Sequence, residues 1–464
     1  MTGTTVTAGT AGTAGTLPPG PSTPRFVQGA YALLAPQRGM RRLRDRYGDA
    51  FTVNAPVFGR AVVISHPAEI KQLFTAGPDM VDNLEVNLGR VLGPGSLFAL
   101  RGEAHRAQRK LLVPPFHGRR LASYERIVEE ETARELACWP HGRPFPIMPS
   151  TMRITLNAIL RAVFGAEGTE FDRLRDLLPR LVSLGSRLAV VPVPKLGRAR
   201  WSPWGRFYAM RREYDEIVER LMDNAERGAD QGGQLDQRDD VLALLLQSRY
   251  DDGSRLSRSE IADQLLTLLA AGHETTATTL AWLVERLRRH PRVLRELVAE
   301  VDVGGKVLRE ATILEVQRTR PVIDLVGRQV KAESVQLGRW TVPKGCAVLV
   351  SITLIHGDDA VFPNARAFDP SRFVGARPDL HHWIPFGGGS RRCLGAAFAN
   401  MELNVVLRTM LREFALEPTA ERAERWHSRG IASAPAKGGL AVVRPRARRT
   451  VVDDPSPVRQ TEAG

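Results

Sequence analysis

Cysteine is scarce in this chain: Cys138, Cys346 and Cys393 are the three in 464 residues. Three thiols so far apart exclude the disulfide framework of a small secreted domain, and no pair stands at zinc-ligand spacing. A reducing, cytoplasmic setting is the expectation. Also absent is any run of about eighteen apolar residues; the stretch 26–34 is interrupted and too short to span a bilayer. The first sixteen residues are mostly Thr, Ala and Gly, with no basic segment leading into an apolar one, so they read as a flexible tail and not a signal peptide. No linker rich in Gly, Ser or Pro interrupts residues 23–443 and no repeat is evident, which predicts one domain between tails at 1–22 and 444–464. No nucleic-acid-binding motif accompanies the formal charge of +14, so this excess of arginine suits an acidic protein partner and not DNA or RNA.

What is present is an ordinary globular composition, 43% hydrophobic and 25% charged, sufficient for a large core. Helical periodicity dominates, including Asp172 to Leu184 and Pro203 to Arg227, with a polar loop at 228–239. Strands are expected near 51–53, 61–64 and 341–352. The longest helix opens at Ser257, where Glu260 completes a capping box, and carries Leu265, Leu266, Leu269, Leu280 and Leu287 until Pro291 stops it. About 33 residues at 1.5 Å each reach roughly 50 Å, a length that only an element crossing the whole domain needs. The fold class is therefore mainly α with small β-sheets.

Cys393 lies in the run FGGGSRRCLG, from Phe386 to Gly395, just before a helix marked by Leu403, Leu407, Met410, Leu411 and Phe414. A positive helix end and the adjacent Arg391 and Arg392 predict a lowered thiol pKa, and a thiolate ligates iron. Gly387, Gly388, Gly389 and Gly395 leave room for a sulfur or a flat ligand to approach the backbone, with Phe386 as an apolar wall. A packed cysteine beside a loose loop, or a phosphate-binding loop, is the plainer alternative; the second lacks a preceding strand and a following Lys-Ser/Thr.

The long helix contains Ala271-Gly272-His273-Glu274-Thr275-Thr276. Glycine there costs about 1 kcal/mol relative to alanine, and a buried carboxylate costs more. Thr275 bonding back to the Ala271 carbonyl would loosen the ladder and leave a groove the size of dioxygen or water. A core helix with incidental Gly and Glu is the alternative. His105 and Arg109, four apart, share a helix face, as they would on a solvated basic helix. Glu315 and Arg318, three apart, end a helix near Pro321 and read either as a surface pair or as a buried network with Arg372.

Phe386, Gly389, Arg391, Cys393 and Gly395 together resemble the haem-binding loop of the cytochrome P-450 superfamily of haem-thiolate monooxygenases. The resemblance covers nearly the whole chain and implies that family's single-domain fold, with the long central helix over haem b and the Cys393 thiolate as axial ligand. It implies propionate binding by His105, Arg109, Arg328 and Arg391, with Phe386 and Gly395 also against the cofactor. Thr275 becomes the hydroxyl that steadies oxygen, Glu274 the proton relay, and Glu315, Arg318 and Arg372 a scaffold. Leu268 and Ala271 are implied to line the substrate pocket beneath a roof at 86–98. His356 is assigned no role, because Gly357 and Asp358 follow it where relatives carry a His-Arg-Asp turn. The connection from Glu300 to Leu308 is shorter than in many relatives. The hinge-like Leu17 to Pro21 lacks the membrane anchor of some relatives, which implies a soluble, bacterial-type enzyme. The implied reaction inserts one atom of O2 into a small apolar substrate. Since 464 residues leave no room for a flavin or iron–sulfur domain, electrons are expected from a ferredoxin and ferredoxin reductase. Peroxide-driven oxidation, isomerisation, phenol coupling and a non-enzymatic haem sensor are the rivals.

Overall fold

A computed structural model of the protein describes residues 17–446 except 25–26, 29–35, 56–58, 85–86, 117, 119, 166–167, 190–198, 200 and 231–237. Its axis is the helix Arg258–Arg289. Glu260 N donates to Ser257 Oγ at 3.3 Å and Ser257 N donates to Glu260 Oε2 at 2.8 Å, so the capping box is complete. Pro291 opens the next helix, Pro291–Asp302. Helix Met148–Phe164 packs along the long helix, and two buried hydroxyls pin them together. Thr155 donates to the His273 carbonyl at 2.9 Å and Thr151 to the Ala277 carbonyl at 3.0 Å. Leucines 265, 266 and 269 join one apolar cluster with helices Thr169–Leu188 and Pro203–Asp230, and Leu280 and Leu287 join a second with the helix Ala396–Glu413.

The strands form one five-stranded sheet and several two-stranded ones. Across the main sheet the order is Ala50–Ala55, Gly59–Ile64, Ala347–Ser351, Leu325–Val330, Val81–Asn83. Only the contact of Gly59–Ile64 with Ala347–Ser351 is parallel. The single strand expected at 341–352 is two, Trp340–Pro343 and Ala347–Ser351, because Gly345 at φ +79° turns the chain between them. The loop expected from 228 begins later: its helix continues to Asp230, and Asp240 caps the helix Val241–Gln247 by accepting from Ala243 N at 2.9 Å.

The domain also reaches further at both ends than the sequence suggests. Thr52 donates through N to the Pro19 carbonyl at 3.0 Å and through Oγ1 to the Pro18 carbonyl at 2.6 Å, docking residues expected in a tail. At the other end Val443–Pro445 pairs with Phe414–Leu416, and Arg446 reaches the Leu411 carbonyl at 2.6 Å and Asp302 at 2.7 Å. Residues 1–16 and 447–464 lie outside the described residues. The short connection after Glu300 is closed by that residue, whose carboxylate accepts from Leu308 N at 2.6 Å and Arg309 N at 2.9 Å, satisfying the open end of helix Val307–Thr319. Among the described residues no helix is long and apolar enough to cross a membrane.

Candidate active site

The cysteine loop is set by its glycines and by the helix Ala396–Glu413, whose Leu403, Leu407, Met410 and Leu411 are buried. Gly387 and Gly389 have φ of +65° and +66°, values a side chain disfavours. A Cβ on Gly388 would sit 2.1 Å from the Phe74 ring, and one on Gly389 2.3 Å from the Phe74 carbonyl oxygen. These two glycines therefore admit the neighbouring helix Pro67–Thr75, not a flat ligand as expected from sequence. Gly395 does face open space: a Cβ there meets nothing within 4 Å. Cys393 N donates to the Phe386 carbonyl at 2.9 Å, and the Phe386 ring stands edge-on to Trp383 at 5.8 Å.

The expected depression of the Cys393 thiol pKa is not found. Cys393 is solvent-accessible yet deep among protein atoms, and that desolvation pushes its thiol up. The Gly395 N–H, Arg109 and Arg392 act in the opposite, expected direction and are outweighed. A thiolate at Cys393 would therefore come with metal binding, since a coordinated thiol loses its proton outright.

On the long helix, Leu268, Ala271, Gly272 and Thr275 are partly or fully exposed, whereas most of its other central residues are buried. Their spacing places them on one face. Thr275 Oγ1 donates to the Ala271 carbonyl at 2.6 Å, the back-bond expected from sequence. Glu274 points elsewhere: it is buried and its Oε1 accepts from Arg429 Nε at 2.8 Å. Arg429 lies between strands Trp426–Ser428 and Ser433–Pro435, where Ser186 Oγ donates to its carbonyl at 3.2 Å and accepts from Ile431 N at 3.1 Å. The roof residues from Asn87 onward are described and Val86 is not. The long helix holds them through Asp263, which accepts from Gly95 N at 2.8 Å, and Thr267, which donates to Ser96 Oγ at 2.8 Å.

The expected cations converge. His105 and Arg109 stand on helix Gly102–Leu112, Arg328 on strand Leu325–Val330 and Arg391 in the cysteine loop. His105 feels Arg391, Arg109, Arg328 and Asp82; burial foremost, then the arginines, push its pKa down to about 4, so it is neutral. Arg109 lies beside Cys393. Arg328 Nη2 donates to the Gly388 carbonyl at 3.1 Å. Arg391 is partly engaged, donating to the carbonyls of Leu97 at 3.0 Å and Leu100 at 2.7 Å and to Asp82 Oδ1 at 2.8 Å. Asp82, His105, Arg328 and Arg391 line one small cleft.

Glu315, without exposed surface, takes two hydrogen bonds from Arg318 at 2.7 Å each, and Arg372 Nε lies 3.3 Å away. His356, to which the sequence assigned nothing, belongs to this network. Its Nδ1 donates to the Arg318 carbonyl at 3.1 Å, its Nε2 accepts from Ile384 N at 3.0 Å, and its carbonyl accepts from Arg318 Nη1 at 2.6 Å. Burial pushes its pKa down to about 3, which keeps this tautomer neutral.

Sequence reasoning also passed over Glu402. It is 1% exposed, against Thr276 of the long helix, and burial pushes its pKa up to about 8. The signal was there: Glu402 falls on the same face as the buried Val405, Val406 and Thr409.

An accessible thiol, a helix with an open apolar face and cations gathered beside the cysteine loop together suit a flat dianionic metallocycle. Gly395, with no contact for a Cβ, and the exposed Ala271 leave the two sides clear for it. The site and fold thus define a haem-thiolate oxidoreductase. The sequence profile of cytochrome P450 matches residues 18–441. Putative cytochrome P450 138 of Mycobacterium tuberculosis is 53% identical over 441 residues, covering 95% of this chain and 99% of the relative. Putative cytochrome P450 135B1 of Mycobacterium bovis is 38% identical over 447 residues, covering 94% and 92%. The solved structure of retinoic acid-bound cyanobacterial CYP120A1 matches with a TM-score of 0.81 at 22% identity, over 94% of this chain and 100% of the other. The chain belongs to the cytochrome P450 family. It is an oxidoreductase of the monooxygenase class that uses haem b with a cysteine thiolate ligand, O2, a substrate and external electron donors.

A raised carboxyl pKa means that the folded chain holds a proton the unfolded chain releases, so stability is full below about 4.5 and falls as pH rises toward about 8. The depressed histidines act oppositely, below about 6.5. Between pH 6.5 and 8 the haem-loaded protein should therefore lose stability by up to about 1.4 kcal/mol per unit, and Glu402→Gln should flatten that slope. Melting curves across this window measure it; equal slopes in both proteins would place the Glu402 carboxyl in a wetter setting.

Proposed function

We propose that this chain inserts one atom of O2 into a small apolar substrate, in the cytoplasm, with electrons from a ferredoxin and its reductase. The observation carrying this reading is the open face of the long helix, where Thr275 bonds back to Ala271 beside the apolar Leu268. Bound there, the haem supplies the activation of oxygen.

The chain's own groups divide the remaining work. Cys393 would hold the haem iron through its sulfur, Arg109, Arg328, Arg391 and neutral His105 would bind its propionates, and Phe386 and Gly395 would shape the cysteine side. Leu268 and Ala271 offer apolar contact only, which favours a substrate positioned by shape. Thr275 spends its hydrogen on the Ala271 carbonyl, so its oxygen lone pairs face the open side and accept a hydrogen bond from water or an oxygen-derived group. Glu274 passes protons only when its bond to Arg429 opens, because the paired carboxylate is buried and turned toward the hairpin. Glu315, Arg318 and Arg372 act at a distance, by fixing the backbone that carries the cysteine loop.

Thr275→Ala should keep haem and substrate binding but waste reducing equivalents as peroxide, lowering product formed per NAD(P)H severalfold. Product and peroxide yields measure this; unchanged coupling would reduce Thr275 to a helix residue. For electron delivery, Arg392 adjoins the thiolate in a protein of formal charge +14, and a basic surface steers an acidic iron–sulfur partner. The first electron-transfer rate with such a partner should fall as salt rises, and fall again in Arg392→Glu with substrate affinity intact. Stopped-flow reduction over a salt series tests it, and a rate indifferent to both changes would remove the electrostatic dock.

A further inference from the structure

Resting on the haem assignment above, we propose that Asp82 is a positioning residue for the cofactor: from a strand paired with the one that carries Arg328, its carboxylate ties the helix of His105 and Arg109 to the cysteine loop of Arg391 and offsets their positive charge. Strand Val81–Asn83 pairs with Leu325–Val330, bringing Asn83 opposite Arg328 and Asp82 opposite Gln329. From this strand the Asp82 carboxylate accepts from Arg391 Nη2 at 2.8 Å and from Asn83 N at 2.7 Å, and the N–H of Gly102, the first residue of the helix bearing His105 and Arg109, lies close enough to help stabilise its charge. The strand, the helix and the cysteine loop therefore meet at one side chain that is 8% exposed. Arg391 is held in turn by the carbonyls of Leu97 and Leu100, so the same contact fastens the end of the roof.

Asp82 offsets part of the positive charge gathered here. Arg109, Arg328 and Arg391 bring three positive charges and His105 none, being neutral, and Arg101 and Arg392 act on the same cluster. Two propionates leave positive charge over, and Asp82 meets it at Arg391. Arginines buried without a counter-charge are strongly unfavourable, so the carboxylate keeps this cluster in place for the cofactor. A fixed negative charge at the haem edge also favours the ferric over the ferrous state, because reduction removes one positive charge from the iron.

The test compares haem-loaded wild type with Asp82→Asn, which keeps the shape and an acceptor oxygen, and with Asp82→Glu, which keeps the charge. Two quantities are read: the rate of haem transfer to apomyoglobin, and the ferrous-to-ferric ratio at one fixed ambient potential. Asp82→Asn should release haem at least tenfold faster and raise the ratio at least threefold. Asp82→Glu should also release haem faster, its longer stem spoiling the locked geometry, while leaving the ratio as in wild type. A ratio unmoved in Asp82→Asn, or moved equally in Asp82→Glu, overturns the charge role, and unchanged haem release in both variants overturns the positioning role. Should Asp82→Asn accumulate without haem, apoprotein titrated with hemin supplies the comparison: affinity equal to wild type overturns the proposal and a tenfold loss supports it. Wild type that takes up no haem would instead sink the cofactor assignment, a result distinguishable from all of these.

Discussion

A carboxylate with no access to water, Glu315, must be matched by charge and by hydrogen bonds, and the cysteine side of the molecule is arranged around meeting that demand. Arg318 answers it with both ends of its guanidinium, then spends its other hydrogens on the carbonyls of His356, Ala365 and Ala367. His356 passes the constraint on by accepting from Ile384 N. The Ile384 carbonyl then accepts from Gly387 N at 3.0 Å, and the Phe386 carbonyl between them accepts from Cys393 N at 2.9 Å. An unbroken run of bonds thus leads from a buried ion pair to the backbone of Cys393. Its weak member is His356, because a second proton on its ring would remove the acceptor that Ile384 uses.

Much of this was legible locally. Ser257 with Glu260, and Glu315 with Arg318, are three-residue spacings, and a helix turns such spacings into contacts whatever the rest of the chain does. The back-bond from Thr275 to Ala271 is equally local. Partners far apart in sequence were not legible. Asp82 and Arg391 are 309 residues apart and Glu274 and Arg429 are 155 apart, and nothing near either acid announces its cation. The thiol of Cys393 illustrates a different failure. The local signs, a helix end and two arginines, point toward a lower pKa, but desolvation is a tertiary quantity and here it is the larger effect. The glycines were misread for a related reason: their lack of a side chain was plain, while the neighbour that exploits it, Phe74, is set by the fold.

The two faces of the site handle charge differently. Where His105, Arg328 and Arg391 converge, cations are abundant and Asp82 tempers them. Over the long helix, acids are withheld from the open face: Glu274 is tied to Arg429, and Glu402 is held protonated against Thr276. Free anionic charge is thereby kept from the exposed helix face that carries Leu268 and Ala271. On the role proposed for Glu274, proton delivery is a conditional event that requires its bond to Arg429 to open.

The proposed site requires that a single sulfur, that of Cys393, hold the iron. Absorbance of the reduced, carbon monoxide-treated protein reads that bond directly. Wild type, Cys138→Ser and Cys346→Ala should display the long-wavelength band of a thiolate ligand, and Cys393→Ser should lack it even when haem is retained. A thiolate band surviving in Cys393→Ser would contradict the account at its base.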